Sequence, residues 1–179
     1  GAAMASTGRV YAFDVSEKRL TNLGPRLKRS GLSNITPQKI ESENDARIKR
    51  LAGNIDRVLV DAPCTGLGTL RRNPDLKWRQ SEQSLQELNV KQAAILKSAS
   101  RLVKPGGRLV YATCSFLPEE NEHIVENFLR THTDFKLVPA AQIVKRLKWP
   151  LENIGEYFKL MPQEHGTDGF FAAVMERSK

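Results

Sequence analysis

Two cysteines occupy matching places in this sequence. Cys64 follows Arg57-Val58-Leu59-Val60-Asp61-Ala62-Pro63, and Cys114 follows Arg108-Leu109-Val110-Tyr111-Ala112-Thr113. Both runs are short, apolar and β-branched, the pattern of a buried strand. As adjacent parallel strands they would carry the two thiols to the same rim of one sheet. A thiolate there can attack carbon or assist a proton transfer. A free cysteine is most often a small buried hydrophobe, but PCTGLG and TCSFLPEE are polar and turn-like, which weakens that reading. Distance in sequence and the absence of Cys-x-x-Cys speak against a redox dithiol. Three acids, Asp14, Asp45 and Asp61, lie in or after strand-terminal positions. Ligands of open α/β sheets bind outside the carboxyl ends of the strands, where an acid can accept hydrogen bonds from ribose hydroxyls. Asp14 fits that role, and fits equally a cap for the next helix.

The elements that must hold these residues alternate strand and helix, which argues an α/β layered domain with a mostly parallel sheet. Strand 8–14 leads to Ser16, an N-cap, with Leu20, Leu23 and Leu27 on one helical face. Pro25 predicts a kink or a split in that helix. A weak strand over 35–40 and a polar turn over 41–45 come next, then the buried strand 57–61. Basic residues crowd the loop that follows: Arg71, Arg72, Lys77 and Arg79, with Trp78 among them. A helix over 81–103 turns Leu85, Leu88, Ile95, Leu96, Ala99 and Leu102 inward and stops at Lys104-Pro105-Gly106-Gly107. Strand 108–113, an amphipathic helix over 119–129 and a strand over 135–138 precede an irregular stretch. An antiparallel pair over 157–161 and 169–175 closes the chain. With no repeat, low-complexity tract or linker, residues 1–179 read as a single domain.

The 179 residues are 40% hydrophobic and 27% charged, a balance suited to one globular core. No apolar run approaches the ~20 residues of a membrane span, and residues 1–9 carry no secretory pattern. A soluble, cytoplasmic protein is expected. Three scattered histidines offer no metal-ligand spacing. A net charge of +8 attracts polyanions through counterion release, or reflects solvated lysines.

DAPCTGLGTLRRNPDLKWR at 61–79 and YATCSFLPEENE at 111–122 resemble the two signature segments of RNA cytosine-5 methyltransferases of the Nop2/Sun/RsmB type. HGTDGFF at 165–171 resembles the C-terminal element of that family. The resemblance implies a Rossmann-like methyltransferase sheet, S-adenosylmethionine as cofactor and RNA as substrate, with ribosomal RNA favoured over transfer RNA. It implies that Cys114 adds to carbon 6 of cytosine, so that carbon 5 can accept a methyl group. Cys64 then assists product release, and Asp61 holds the ring-nitrogen edge. It also places Asp14 at the ribose hydroxyls, Asp45 at the adenine amino group and Asp61 near the methionine end. Arg71, Arg72, Lys77 and Arg79 become phosphate contacts, Trp78 is a stacking platform or a core anchor, with the core favoured, and His165 orients the turn at 166–169. In DNA cytosine-5 methyltransferases the cysteine matched by Cys64 is the nucleophile; the TCS and NPDLKWR segments favour Cys114. Amino-group methyltransferases carry an Asp/Asn-Pro-Pro-aromatic motif at the Asp61 position, which this sequence lacks. A non-catalytic RNA-binding or assembly module of the same fold is the alternative.

One departure from the family is expected to matter. Its glycine-rich cofactor loop and the strand before it belong immediately upstream of Gly1, and GAAMASTG reads as the tail of the helix after that loop. The chain is therefore expected to lack the sheet's first, central strand and to bind the cofactor poorly alone. The strand edges over 10–13 and 58–60 should then pair with each other or drive self-association.

Overall fold

Two units, Gly1–Arg50 and Leu51–Lys179, make up the structure, a computed structural model that describes residues 1–179. In the first unit, β1 (Val10–Asp14) is joined by α1 (Glu17–Ser30) to β2 (Ile35–Lys39). The two strands pair in parallel, Val10 opposite Ile35 and Asp14 opposite Lys39. The Ser16 hydroxyl accepts from the Arg19 amide to start α1, and Gly31, at φ 67°, ends it in the left-handed region that glycine adopts freely. Pro25 does not split the helix: α1 is continuous from Glu17 to Ser30. A single-turn helix, α2 (Ala46–Lys49), is capped by Asp45. Upstream, Ala2–Met4 form one 3-10 turn.

The second unit runs β3 (Ile55–Asp61), α3 (Leu76–Arg79), α4 (Glu82–Ser100), β4 (Val103–Thr113), α5 (Glu122–Thr131), β5 (Phe135–Val138), α6 (Ala140–Leu147), β6 (Phe158–Leu160), α7 (Pro162–His165) and β7 (Phe170–Arg177). The strand order is β3-β4-β7-β5, with β6 also on β7. β3 and β4 are parallel, while β7 runs antiparallel to β4, β5 and β6. All strands of this sheet therefore point one way except β7, the mostly parallel Rossmann-like arrangement with an antiparallel insertion. Leu96, Val103, Leu109, Tyr111, Val125 and Met175 are completely buried at its centre. Each such aliphatic side chain is worth roughly 1.5–3 kcal/mol of burial.

Three local expectations need correction. α4 ends at Ser100, before Lys104-Pro105-Gly106-Gly107, and β4 already begins at Val103. The register between β3 and β4 shifts there, from Ile55 opposite Val103 to Arg57 opposite Arg108, so the extra residues form an irregularity within the strand. The stretch expected to be irregular contains α6, which lacks a side-chain cap and ends on Lys148 at φ 52° where a glycine signal would be sought. β3 is not buried on both faces: Val60 is 5% exposed and Leu59 is 67% exposed, because α4 covers one face. Within its sheet β1 has only β2 as a partner, and β3 has only β4.

Candidate active site

Parallel pairing of β3 with β4, Asp61 opposite Ala112, brings the loops after both strands together. The Sγ atoms of Cys64 and Cys114 lie 3.4 Å apart, both half-buried. The strand-end argument for two thiols on one rim holds.

The backbone around them is tied in two places. Gly68 N donates to Cys114 O at 2.9 Å, and Gly169 N donates to Gly68 O at 2.7 Å. A Cβ on Gly68 would stand 2.2 Å from Gly169 O and 2.7 Å from Cys114 O. The PCTGLG, TCS and HGTDG segments thus meet at one glycine. The Tyr111 ring packs edge-on against Phe171, with centroids 6.5 Å apart. Burial pushes its phenol well above the usual range, while its hydroxyl donates to Glu120 O at 2.7 Å.

The two thiols are not equivalent. A hydrogen bond joins the two sulfurs, and either can be its donor; with Cys64 donating, it favours the thiolate on Cys114. That hydrogen bond and burial raise the Cys64 pKa far above the ordinary thiol value. The same bond lowers Cys114 to about 7, against the opposing influence of its own burial and of Asp61 and Glu120. Cys114 is thus the thiol that ionises more readily. Alkylation of Cys114 by iodoacetamide, followed by mass spectrometry, is expected to rise with pH through a midpoint near 7. In Cys64→Ala the midpoint should move up toward ~8.5, the value of an unassisted thiol. An unmoved midpoint would show that Cys64 does not poise Cys114.

Asp61 is exposed at the end of β3, and its carboxylate has no hydrogen-bond partner in the protein. In the first unit, Asp14 Oδ1 accepts from Ser16 N at 2.8 Å, and Oδ2 lies 3.4 Å from Arg19. The helix-entry role weighed for Asp14 is therefore present. Asp45 accepts from Arg47 N at 2.8 Å and Glu41 N at 3.0 Å, and these bonds hold its carboxyl below the usual range.

Arg71, Arg72, Lys77 and Arg79 are all exposed. Arg72 pairs with Asp168, Arg79 with Asp75, and Lys77 Nζ sits 4.7 Å from the Trp78 ring centre. Trp78 is 80% exposed, which overturns its assignment to the core. Leu76 is the residue of α3 that turns inward, toward Gly66. A residue two positions further along a helix faces the opposite side. Beside the loop, an apolar hollow of about 350 Å3 is lined by Leu67, Gly68, Leu70, Arg71, Phe116 and Met161, with neither thiol among its walls. His165 Nδ1 accepts from Met161 N at 3.0 Å, which closes the single turn of α7 ahead of the 166–169 segment.

Sequence reasoning missed the buried polar set beneath the thiols: Thr65, Gln92, Ser115, Glu120 and Asn121 are each 3% exposed or less. The available signal was a Glu-Asn pair on the same helical stripe as Ile124, Val125 and Phe128.

The mostly parallel sheet, with Asp61 and the two thiols at or beyond the carboxyl ends of β3 and β4, is the Rossmann-like fold of S-adenosylmethionine-dependent methyltransferases. A family model described as 16S rRNA methyltransferase RsmB/F matches residues 2–176, and the chain belongs to this family. It is similar to a probable ribosomal RNA small subunit methyltransferase B of Synechocystis, 37% identical over 98% of this chain and 39% of the relative. It is also similar to the ribosomal RNA small subunit methyltransferase B of Klebsiella pneumoniae, 39% identical over 87% of this chain and 36% of the relative. The chain thus spans less than two fifths of these curated relatives. Among solved structures it resembles a methyltransferase homolog protein from Pyrococcus horikoshii, with a TM-score of 0.76 and 32% identity over 97% of this chain and 55% of that one. NSun6 from Pyrococcus horikoshii, solved with SFG, gives a TM-score of 0.79 and 27% identity over 99% of this chain and 44% of that one.

Proposed function

We propose that this chain is the cysteine-bearing part of an enzyme that forms 5-methylcytosine in ribosomal RNA through a covalent protein–cytosine adduct. The observation that carries the reading is the thiol pair, 3.4 Å apart beyond the ends of two paired parallel strands. Cys114 Sγ adds to carbon 6 of the base, which makes carbon 5 nucleophilic. S-adenosylmethionine, when bound, supplies the methyl group that carbon 5 takes up. Once Cys114 is bonded to carbon 6 it no longer holds the Cys64 proton, so Cys64 can release that proton to solvent. Its thiolate then takes the carbon-5 proton, and the electron pair left behind re-forms the 5,6 double bond and expels Cys114 as thiolate. Asp61, exposed and unpartnered, is suited to the ring-nitrogen edge of cytosine or to the methionine end of the cofactor. A carboxylate has about four lone-pair sites. Asp14 therefore retains sites for ribose hydroxyls beside its bond to Ser16, and Asp45 retains fewer for the adenine amino group.

The exposed cations Arg71, Arg72, Lys77 and Arg79 supply sequence-independent phosphate contacts, and Trp78 offers a face on which a base can stack. A ribosomal RNA substrate would place the reaction in the cytoplasm. The alternative, an RNA-binding or assembly module without catalysis, gives no reason for a thiol poised near pH 7.

The test uses the product of the whole reading frame that encodes this sequence, with small-subunit ribosomal RNA and methyl-labelled S-adenosylmethionine. Nucleoside digestion should place the label in 5-methylcytidine; label in another nucleoside would overturn the reading. In the same assay Asp14→Ala should raise the KM for S-adenosylmethionine about twofold to tenfold, the loss of hydrogen bonds worth roughly 0.5–1.5 kcal/mol. An unchanged KM would leave Asp14 as a helix-entry residue alone.

A further inference from the structure

Glu120 and Asn121 are adjacent, and both are completely buried. They lie where the 3-10 turn Pro118–Glu120 gives way to α5, a few residues beyond Cys114. Glu120 Oε1 accepts from Thr65 N at 2.8 Å and from Gln92 Nε2 at 3.0 Å, and Oε2 accepts from Thr65 Oγ1 at 2.6 Å. Gln92 Nε2 also donates to Pro63 O at 2.8 Å. Pro63 and Thr65 are the two neighbours of Cys64, so the Glu120–Gln92 pair grips that cysteine's backbone on both sides.

Asn121 treats the other thiol in the same way. Its Oδ1 accepts from Thr113 Oγ1 at 2.6 Å, and its Nδ2 donates to Ser115 O at 3.0 Å. Thr113 and Ser115 are the two neighbours of Cys114. A bridge between the halves runs from Thr65 Oγ1 to Ser115 Oγ at 3.3 Å.

We infer that Glu120 and Asn121 are positioning residues that set the separation of the two thiols, each gripping the residues that flank one cysteine. Neither touches a sulfur. A carboxyl group is rarely buried without charged partners, and here its partners are two N–H groups and one hydroxyl. Gln92 Oε1 is buried with no partner, a cost the fold carries while both amide hydrogens stay engaged with Pro63 and Glu120. Three elements, the β3 loop, α4 and the turn after β4, converge on one carboxyl group. An ordinary packing role would be met by an apolar residue at far lower desolvation cost.

The inference rests on the catalytic reading only in calling the thiols functional, and its test needs no methyl transfer. Glu120→Gln keeps the shape but sets an amide N–H₂ against donors on Thr65 or Gln92. In protein that retains its circular dichroism spectrum, the Cys114 alkylation midpoint should rise above 7. Diamide oxidation, which joins the two sulfurs and takes up their two electrons and two protons, should slow about tenfold to a hundredfold, the cost of roughly 1 Å of misplacement. A residue that merely supports the fold would lower the melting temperature and leave both thiol readouts unchanged; that result in folded Glu120→Gln overturns the inference. If Glu120→Gln does not fold, Thr65→Val, which removes one donor and is close in volume, carries the same two readouts with smaller shifts. No shift in either readout would overturn the inference equally.

Discussion

Replacing Cys114 with alanine is expected to abolish the covalent complex with RNA that contains 5-fluorocytosine, whereas Cys64→Ala should leave the complex formed and unresolved. Fluorine at carbon 5 cannot depart as a proton, so an adduct that has accepted methyl persists and is read as a shifted band on a denaturing gel. The asymmetry follows from where the shared proton sits. The bond between the two sulfurs draws Cys114 down to about 7, and the same bond, together with burial, pushes Cys64 up. Magnitudes set the conditions. If losing the Cys64 donor returns Cys114 to ~8.5, its thiolate fraction at pH 7 drops from about one half to about 3%. Cys64→Ala should therefore trap slowly at pH 7 and readily near pH 9. With unmodified cytosine the Cys64→Ala adduct should accumulate, because its release lacks assistance. A complex lost in Cys64→Ala at every pH and kept in Cys114→Ala would reverse the roles.

Gly68→Ala is expected to be nearly as damaging, although the substitution adds one methyl group. The added carbon meets the carbonyl oxygen of Gly169 at 2.2 Å and that of Cys114 at 2.7 Å, and both are backbone atoms that no rotamer change can move. Overpacking of this kind costs roughly 1–3 kcal/mol even where side chains can yield. Here the strand end that bears Cys114 must shift, or the segment before β7 must separate from it. Both ways out disturb the thiol pair, so adduct formation should fall more steeply than the melting temperature does. Gly155→Ala is the control: its added carbon has nothing within 4 Å, and a change within about 0.5 kcal/mol is expected. Equal adduct yields from the two variants would show that the Gly68 contact does not position Cys114.

The meeting of Cys64 with Cys114 was legible in the sequence because strand ends of a parallel sheet share a rim, and both strands announce themselves through β-branched runs. Helical periodicity found α1 and its Ser16 cap, while its stop at Gly31 came only with the structure. Periodicity failed at α6, whose N-cap position is Pro139, without a side-chain cap, and whose C-cap position is Lys148. Trp78 was assigned to the core on hydrophobicity alone; a helix of four residues has too little periodicity to say which side turns inward. Glu120 was passed over because glutamate in an amphipathic helix reads as solvated, and partners such as Thr65 and Gln92 become neighbours only once the sheet has formed. The grip on each cysteine's flanking residues is a property of tertiary structure.

β7 lies between β4 on one side and β5 and β6 on the other, and it alone runs against its neighbours. A ribosome delivers the strand that carries Cys114 well before residues 170–177, and N-terminal portions of a chain tend to organise first. During synthesis, therefore, β4 can pair with β3 while its other edge waits open. The Gly169–Gly68 contact and the Phe171–Tyr111 packing that steady the thiol loops cannot yet exist. The reactive sulfur is translated early and braced late. An interval in which a nascent chain carries an unsupported thiol is one in which chaperone shielding, or the pace of translation through 115–169, has the most to protect.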